Sequence, residues 1–266
     1  MELLKEQIIN KINQIESNHS IKVLYACDAG SRAWGIASEN SDYDVRFIYI
    51  HKPSYYLSID PVGIGNKKDT IDIDQTTSGE CTIDLHGWEL TKALRLFRKS
   101  NPTLFEWIHS DIVYHSFTST IDRIYELEPK IFDTKPCIFH YIHMAKSNYH
   151  KCLETEGNVK DYLHVIRPLL ISKWVENFRQ FPPLNFKALI DNISNGAIKD
   201  IITQIFEMKI TGTIKRFDDT TLHAFIEQEI IRLESIAKSL QASKKNYTEE
   251  LDQLFQDALE TAWLAK

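Results

Sequence analysis

The chain of 266 residues lacks the features that define several common protein classes. No apolar run approaches the roughly 20 residues that a membrane-spanning helix needs. The first residues, Met1 to Glu6, carry acidic side chains in place of the basic and then apolar stretches of a secretory signal. We therefore expect a cytoplasmic protein with no membrane partner.

Cysteine is scarce, and no two cysteines have the CxxC spacing of a zinc site. Glycine and proline number only nine and eight, and the chain has neither internal repeats nor low-complexity tracts. The cysteines are widely scattered along the chain, which argues against a disulfide framework, so we expect buried free thiols. The four cysteines are Cys27, Cys81, Cys137 and Cys152.

Basic residues are not in excess, since the formal net charge is −6. Residues 1–132 carry 14 Lys or Arg against 19 Asp or Glu, and residues 133–266 carry 17 against 18. This balance argues against a protein that holds long nucleic acid mainly through phosphate charge, but it leaves a nucleotide or a short RNA end open. Acids concentrated in the first half are what a cation site there would require.

The hydrophobic pattern changes character along the chain. Up to about residue 132 it predicts a mixed α/β region, and beyond it only helices. We therefore expect an α+β fold with a sheet domain at 1–132 and an all-helical domain at 133–266. The predicted strands are 21–26, the second half of 42–50, 70–75, 80–85 and 112–114. The predicted helices are 2–17, 88–99, 104–109, 137–153, 160–180, 185–193, 197–208, 219–242 and 248–264.

Two carboxylates stand at the head of one predicted strand. Asp42 and Asp44 are separated by one residue and so point to the same face, where they repel each other unless a cation lies between them. Magnesium prefers oxygen ligands and is commonly held by carboxylates together with substrate phosphates. The Gly30-Ser31 turn after the preceding strand offers backbone N–H groups and a hydroxyl to a phosphate.

A third carboxylate would complete a site for two metal ions. Our preferred candidate is Asp84, on the polar face of a later strand. Asp72 and Asp74 repeat the D-x-D spacing and are the alternatives, but they precede a turn and are expected to be exposed.

Together these residues resemble the signature of the DNA polymerase beta superfamily of nucleotidyltransferases, and in particular the RNA-repair-associated polymerase-beta family. The similarity covers about residues 20–180, and Cys27-Asp28-Ala29 departs from it by placing an extra acid near the phosphates. It rests on Ala29-Gly30-Ser31-Arg32-Ala33-Trp34-Gly35, Ser41-Asp42-Tyr43-Asp44-Val45-Arg46-Phe47, and the segments 85–94, 99–102 and 162–170.

The resemblance implies transfer of a nucleoside monophosphate from a nucleoside triphosphate such as ATP to an acceptor hydroxyl, with release of pyrophosphate. Asp42, Asp44 and Asp84 would then bind two Mg²⁺ ions, for which Mn²⁺ can substitute. Gly30 and Ser31 would hold the triphosphate, and Arg32 would neutralise it.

The acceptor is an RNA 3′ end, a protein side chain or a small molecule. The alternative is a protein that binds a nucleotide without catalysing a reaction, either as a sensor or as an antitoxin-like partner.

Several further residues have two interpretations. Arg46 shares a face with the aspartates and is either their ion-pair partner or a phosphate contact. Lys160 and Arg167, seven residues apart on one predicted helix face, are hypothesised to contact the triphosphate as the helical domain closes the nucleotide cleft, with surface charge as the alternative. Trp34 and Trp88 are interpreted as packing residues, with base stacking as the alternative.

Overall fold

The computed structural model describes residues 2–38, 41–65, 67–78, 81–155, 157–213, 219–241, 243 and 245–264. The chain divides into two compact units. The first comprises residues 1–33, 40–131 and 245–266, and the second comprises residues 34–39 and 132–244.

The first unit is built on a five-stranded sheet. The elements up to residue 131 are α1 (Glu2–His19), β1 (Ile21–Asp28), β2 (Tyr43–His51), α2 (Pro53–Tyr56), β3 (Thr70–Ser78), β4 (Cys81–Glu89), α3 (Leu90–Arg98), α4 (Pro102–Ile108), β5 (Val113–Ser116) and α5 (Thr118–Ile131). Those that follow are α6 (Thr134–Glu154), α7 (Val159–Phe178), α8 (Phe186–Asp191), α9 (Ala197–Thr211), α10 (Asp219–Ser239) and α11 (Thr248–Trp263).

The sheet is mixed, as the sequence predicts, with strand order β3-β4-β2-β1-β5. β2 and β4 run parallel, and the other neighbours pair antiparallel. The register places Asp28 opposite Val45 across β1 and β2, and Asp44 opposite Asp84 across β2 and β4. The turn after β1 and both aspartates therefore lie close together at one end of three adjacent strands.

Alternate residues of the strands are apolar, and the face of the sheet that they form packs against α1. Ile8 and Ile12 of the helix belong to the same buried cluster as Val45, Phe47 and Leu85 of the strands, each at most 3% exposed. Since successive strand residues point to opposite faces, the residues between them are directed away from this core. That opposite face carries the polar candidates.

The predicted elements agree with the structure in type and approximate position, with two helices missed. The short α2 and α5 were not predicted, and Pro129, a residue type that normally interrupts a helix, lies in the last turn of α5. The strand pair around residue 78 is longer than predicted: β3 reaches Ser78 and β4 begins at Cys81. Gly79 of the predicted turn and Glu80 of the predicted strand lie outside the described residues.

The predicted domain boundary after residue 132 needs two corrections. Residues 245–266 belong to the first unit, because α11 packs on α3 and α5. Residues 34–39 belong to the second unit, where the backbone N–H of Phe186 donates to the Trp34 carbonyl at 2.9 Å. Within the described residues, the rest of this second unit is helical, as predicted.

The cysteine prediction holds for the three thiols that the structure describes. Cys27, Cys137 and Cys152 are free and buried. Among the described helices, none has both the length and the apolar character of a membrane span.

Gly87 of β4 lies against Phe47 of β2, and this close contact gives a stability prediction. A Cβ on Gly87 would lie 2.2 Å from Cε2 of Phe47, a ring with no exposed surface. Gly87→Ala is expected to lower the free energy of unfolding by about 1–3 kcal/mol through overpacking. Urea unfolding measures the loss.

A double-mutant cycle isolates the steric cause. In the background of Phe47→Leu, which removes the ring edge, Gly87→Ala should cost much less than in the wild type. An equal cost in both backgrounds would contradict the proposed overlap.

Candidate active site

Asp44 and Asp84 lie side by side on neighbouring parallel strands, and one guanidinium joins them. Arg46, two residues after Asp44 and on the same face, places Nη2 2.9 Å from Asp44 Oδ1 and Nη1 2.9 Å from Asp84 Oδ2. The ion-pair interpretation of Arg46 is therefore confirmed. The contact offsets part of the repulsion between two carboxylates that face each other across adjacent strands.

The Gly30-Ser31 turn packs directly against the Asp44 carboxylate. A Cβ on Gly30 would lie 1.8 Å from Asp44 Oδ2, so no other amino acid fits here without moving that side chain. The Ala29 N–H donates to the Asp44 carbonyl at 3.0 Å, which fixes the turn to the start of β2. The structure thus brings two predicted features, the glycine turn and the paired aspartate, into contact.

Asp28, the last residue of β1, holds the glycine turn through its side chain, a role that the sequence did not reveal. Its side chain has no exposed surface; Oδ1 accepts from the Gly30 N–H at 3.3 Å and Oδ2 from the Tyr114 hydroxyl at 3.1 Å. The Ser110 hydroxyl donates to the Asp28 carbonyl at 2.5 Å. Burial raises the pKa of Asp28 to about 6, although the hydrogen bonds from Gly30 and Tyr114 oppose the shift. Both side-chain partners are more than 80 positions away in sequence, so no local signal marks this role.

The carboxylates at this end of the sheet outnumber the cation that pairs with them. Asp42 is exposed immediately before β2. Burial raises the pKa of Asp44, and the charges of Asp84 and Asp42 raise it further, while Arg46 lowers it. The three carboxylates supply oxygen donors, and with one guanidinium beside them they carry surplus negative charge. This set of donors fits a divalent cation.

In this arrangement the carboxylates of Asp44 and Asp84 turn to Arg46. Across the described part of the chain, no group of three His, Cys, Asp or Glu side chains converges as a metal site would require. Of the alternatives to Asp84, Asp72 is 72% exposed and pairs with His86. The side chain of Asp74 lies outside the described residues. Asp84 remains our candidate because it faces Asp44.

Arg32 folds back onto the segment that precedes β2. Its guanidinium carbon lies 3.7 Å from the ring centroid of Tyr43, and Nη2 donates to the Ser41 carbonyl at 2.6 Å. Ser31 is half-buried within the turn. Contact of Arg32 or Ser31 with a triphosphate stays a prediction.

Lys160 and Arg167 both lie on α7 of the second unit but in different surroundings. Lys160 is exposed, whereas Arg167 is 3% exposed, with its guanidinium carbon 4.0 Å from the ring centroid of Trp34. The seven-residue spacing therefore does not give them a shared exposed face. Trp34 acts here as a packing residue, as interpreted from the sequence. Contact of either cation with a nucleotide stays a prediction.

The raised pKa of Asp28 gives a pH-dependent stability prediction. An acid whose pKa is higher in the folded state than the ordinary 3.8 holds its proton more tightly when folded, so stability is lost as pH rises from about 4 through about 6. Asp28→Asn removes the charge at nearly the same size: the amide oxygen can accept from the Gly30 N–H, and the NH₂ group can donate to the Tyr114 hydroxyl. The free energy of unfolding of the variant, relative to that of the wild type, should rise by about 2 kcal/mol between pH 4 and pH 7, as expected for a pKa shift of this size.

Urea unfolding in EDTA at both pH values measures this gain, and Asp60→Asn, at an exposed position of the same unit, is the matched control. A stability difference between Asp28→Asn and the wild type that does not change with pH would show that the buried charge is not the cause.

Comparison with known proteins agrees with the resemblance noted in the sequence. The chain matches the model of the RNA repair pathway DNA polymerase beta family over residues 4–257. It is 38% identical over 266 residues to the uncharacterized protein YcgL of Bacillus subtilis (strain 168), with 98% of each chain covered. A nucleotidyltransferase-like protein from Exiguobacterium sibiricum 255-15 aligns over 94% of this chain and 78% of that chain, at 10% identity and a TM-score of 0.30. Since the family match spans nearly the whole sequence, the chain belongs to the RNA repair pathway DNA polymerase beta family.

Proposed function

We propose that this protein transfers a nucleoside monophosphate from a nucleoside triphosphate to the 3′-hydroxyl of an RNA end, with release of pyrophosphate. Family membership supports a polymerase-beta-like nucleotidyltransferase. The observation that carries the proposal is the contact of the glycine turn with Asp44, itself in register with Asp84 on the next strand. This arrangement offers a phosphate-binding turn and a carboxylate pair within one small region.

Asp42, Asp44 and Asp84 are the residues that would hold two Mg²⁺ ions. When bound, such ions supply charge neutralisation of the phosphates and lower the pKa of the attacking hydroxyl. The chain's own contribution is to hold the backbones of Asp44 and Asp84 opposite each other by strand pairing, so that both carboxylates project from neighbouring positions of one face.

The donor side of the site follows from the order of the strands. Gly30 and Ser31 follow β1, on one side of β2, and the turn offers the backbone N–H and the hydroxyl of Ser31 as donors to phosphate oxygens. Asp84 lies on β4, on the other side of β2. We therefore assign the triphosphate to the Gly30 side and the acceptor to the Asp84 side.

In the proposed reaction the acceptor oxygen forms a bond to the α-phosphorus while the bond from that phosphorus to the bridging oxygen breaks. The hydroxyl proton passes to solvent, and pyrophosphate leaves. Asp44 and Asp84 are paired with Arg46, and all three aspartates are assigned as ion ligands. The proposal therefore gives none of them the role of general base.

Label transfer from each of four α-labelled nucleoside triphosphates, with Mg²⁺ and a pool of short RNAs, tests this function. The wild type should label the RNA, and Asp44→Asn or Asp84→Asn should reduce the rate by about 100-fold or more, because each removes a charged ligand. Asp72→Asn, which changes the alternative carboxylate, is the matched control and should retain most of the activity.

Thermal unfolding of the same variants separates loss of function from loss of fold. RNA labelling that survives Asp84→Asn would refute the assigned carboxylate. Absence of label, with triphosphate still raising the melting temperature of the wild type, would instead favour the nucleotide sensor or an acceptor other than RNA.

A further inference from the structure

A basic cavity lies beyond the end of β4, away from the catalytic candidates. It has a volume of about 360 Å³ and is formed by one side of α3 and the loop at 61–64. Lys92, Arg95 and Lys99 line it at spacings of three and four residues, which place them on one stripe of the helix.

Positive charge exceeds negative charge in this cavity. Asp69 is the one acid in its lining; its Oδ1 accepts from Lys92 at 3.2 Å and its Oδ2 lies 3.8 Å from Arg95. Lys99 is exposed, its backbone N–H donates to the Leu96 carbonyl, and within the described part of the chain its side chain forms no hydrogen bond or ion pair. Three cations against one carboxylate, on a chain of net charge −6, indicate an anionic ligand.

The cavity is connected to the acceptor side of the site by a single stretch of chain. Asp84, His86 and Trp88 alternate along β4 and so share its polar face, and Lys92 Nζ lies 5.7 Å from the ring centroid of Trp88. From Asp84 to Trp88 the strand rises about 13 Å, which is close to the length of four stacked nucleotides.

The surface between the aspartate and the cations is partly aromatic. His86 and Trp88 are both half-buried, and their ring centroids are 6.0 Å apart. One face of Trp88 stacks on Trp107 at 3.9 Å, which holds the ring in place. Proteins that bind single-stranded nucleic acid combine exposed rings for the bases with cations for the backbone.

We propose that the cavity of Lys92, Arg95 and Lys99 binds the phosphodiester backbone of the acceptor RNA strand, upstream of the 3′-hydroxyl at Asp84. The bases of the intervening nucleotides contact His86 and Trp88. This inference rests on the proposed function. It accounts for a short basic region on an otherwise acidic chain, because phosphate contacts position a strand without reading its sequence.

The test is binding of a fluorescent 12-nucleotide single-stranded RNA, followed by anisotropy at several salt concentrations without nucleoside triphosphate. Arg95→Glu with Lys99→Glu should weaken binding at least 10-fold. The dependence of log affinity on log salt should become shallower by about 1.4, since each phosphate contact on a single strand contributes about 0.7. Arg123→Glu with Lys130→Glu, two exposed cations seven residues apart on α5, changes the net charge equally and should bind RNA as the wild type does.

Two further measurements distinguish an RNA strand from a nucleoside triphosphate or a polyphosphate as the ligand of this cavity. The rise in melting temperature caused by Mg²⁺ and triphosphate should be the same in both double variants, and its loss in Arg95→Glu with Lys99→Glu would assign the cavity to the triphosphate instead. Inorganic polyphosphate of equal length that competes as well as RNA would overturn the assignment to an RNA strand.

RNA binding is measured without catalysis, so the two proposals fail separately. Equal RNA affinity of the wild type and Arg95→Glu with Lys99→Glu, or no RNA binding by the wild type, overturns the cavity assignment. Absence of label transfer to RNA, whatever the affinity, overturns the proposed function.

Discussion

The bridge that Arg46 makes between Asp44 and Asp84 is the interaction on which the rest of the site depends. Parallel pairing of β2 and β4 puts the two carboxylates opposite each other, and adjacent like charges destabilise a sheet. With Nη1 and Nη2 each 2.9 Å from a carboxylate oxygen, Arg46 offsets this repulsion while leaving Asp42 without a comparable partner in the described chain. The same side chain that stabilises the pair therefore competes for the oxygens that a divalent cation would bind.

Stability and chemistry are divided between the two faces of one sheet. The face against α1 is packed closely enough that Gly87 cannot carry a methyl group beside Phe47. Asp44 lies on the opposite face with a pKa raised by burial, whereas Asp28, in register with Val45, lies on the core side with no exposed surface; both carboxylates cost folding free energy at neutral pH. Such costs concentrate where a protein positions charged groups for a ligand.

The sequence predicted features that depend on local periodicity and did not predict those that depend on partners distant along the chain. Alternation along β2 correctly placed Asp44 and Arg46 on one face. Asp84 was selected from the polar face of a later predicted strand, but its register opposite Asp44, a pairing across 40 residues, has no local signal. The anchor from Tyr114 to Asp28, which spans 86 residues, has none either. The burial of Arg167 on Trp34 was missed for the same reason, because helical spacing gives a face but not what covers it. α5 was also missed, and it keeps Pro129 in its last turn although proline locally disfavours a helix.

The central claim is that Asp44 and Asp84 form a cation site whose negative charge Arg46 partly offsets, and Mn²⁺ binding tests it most directly. Free Mn²⁺ is followed by electron paramagnetic resonance with the protein and a non-hydrolysable nucleoside triphosphate. The account predicts that Asp44→Asn and Asp84→Asn each weaken Mn²⁺ binding at least 10-fold relative to the wild type, and that Arg46→Gln strengthens it. Mn²⁺ affinity that is unchanged in both aspartate variants would place the cation elsewhere and contradict the account.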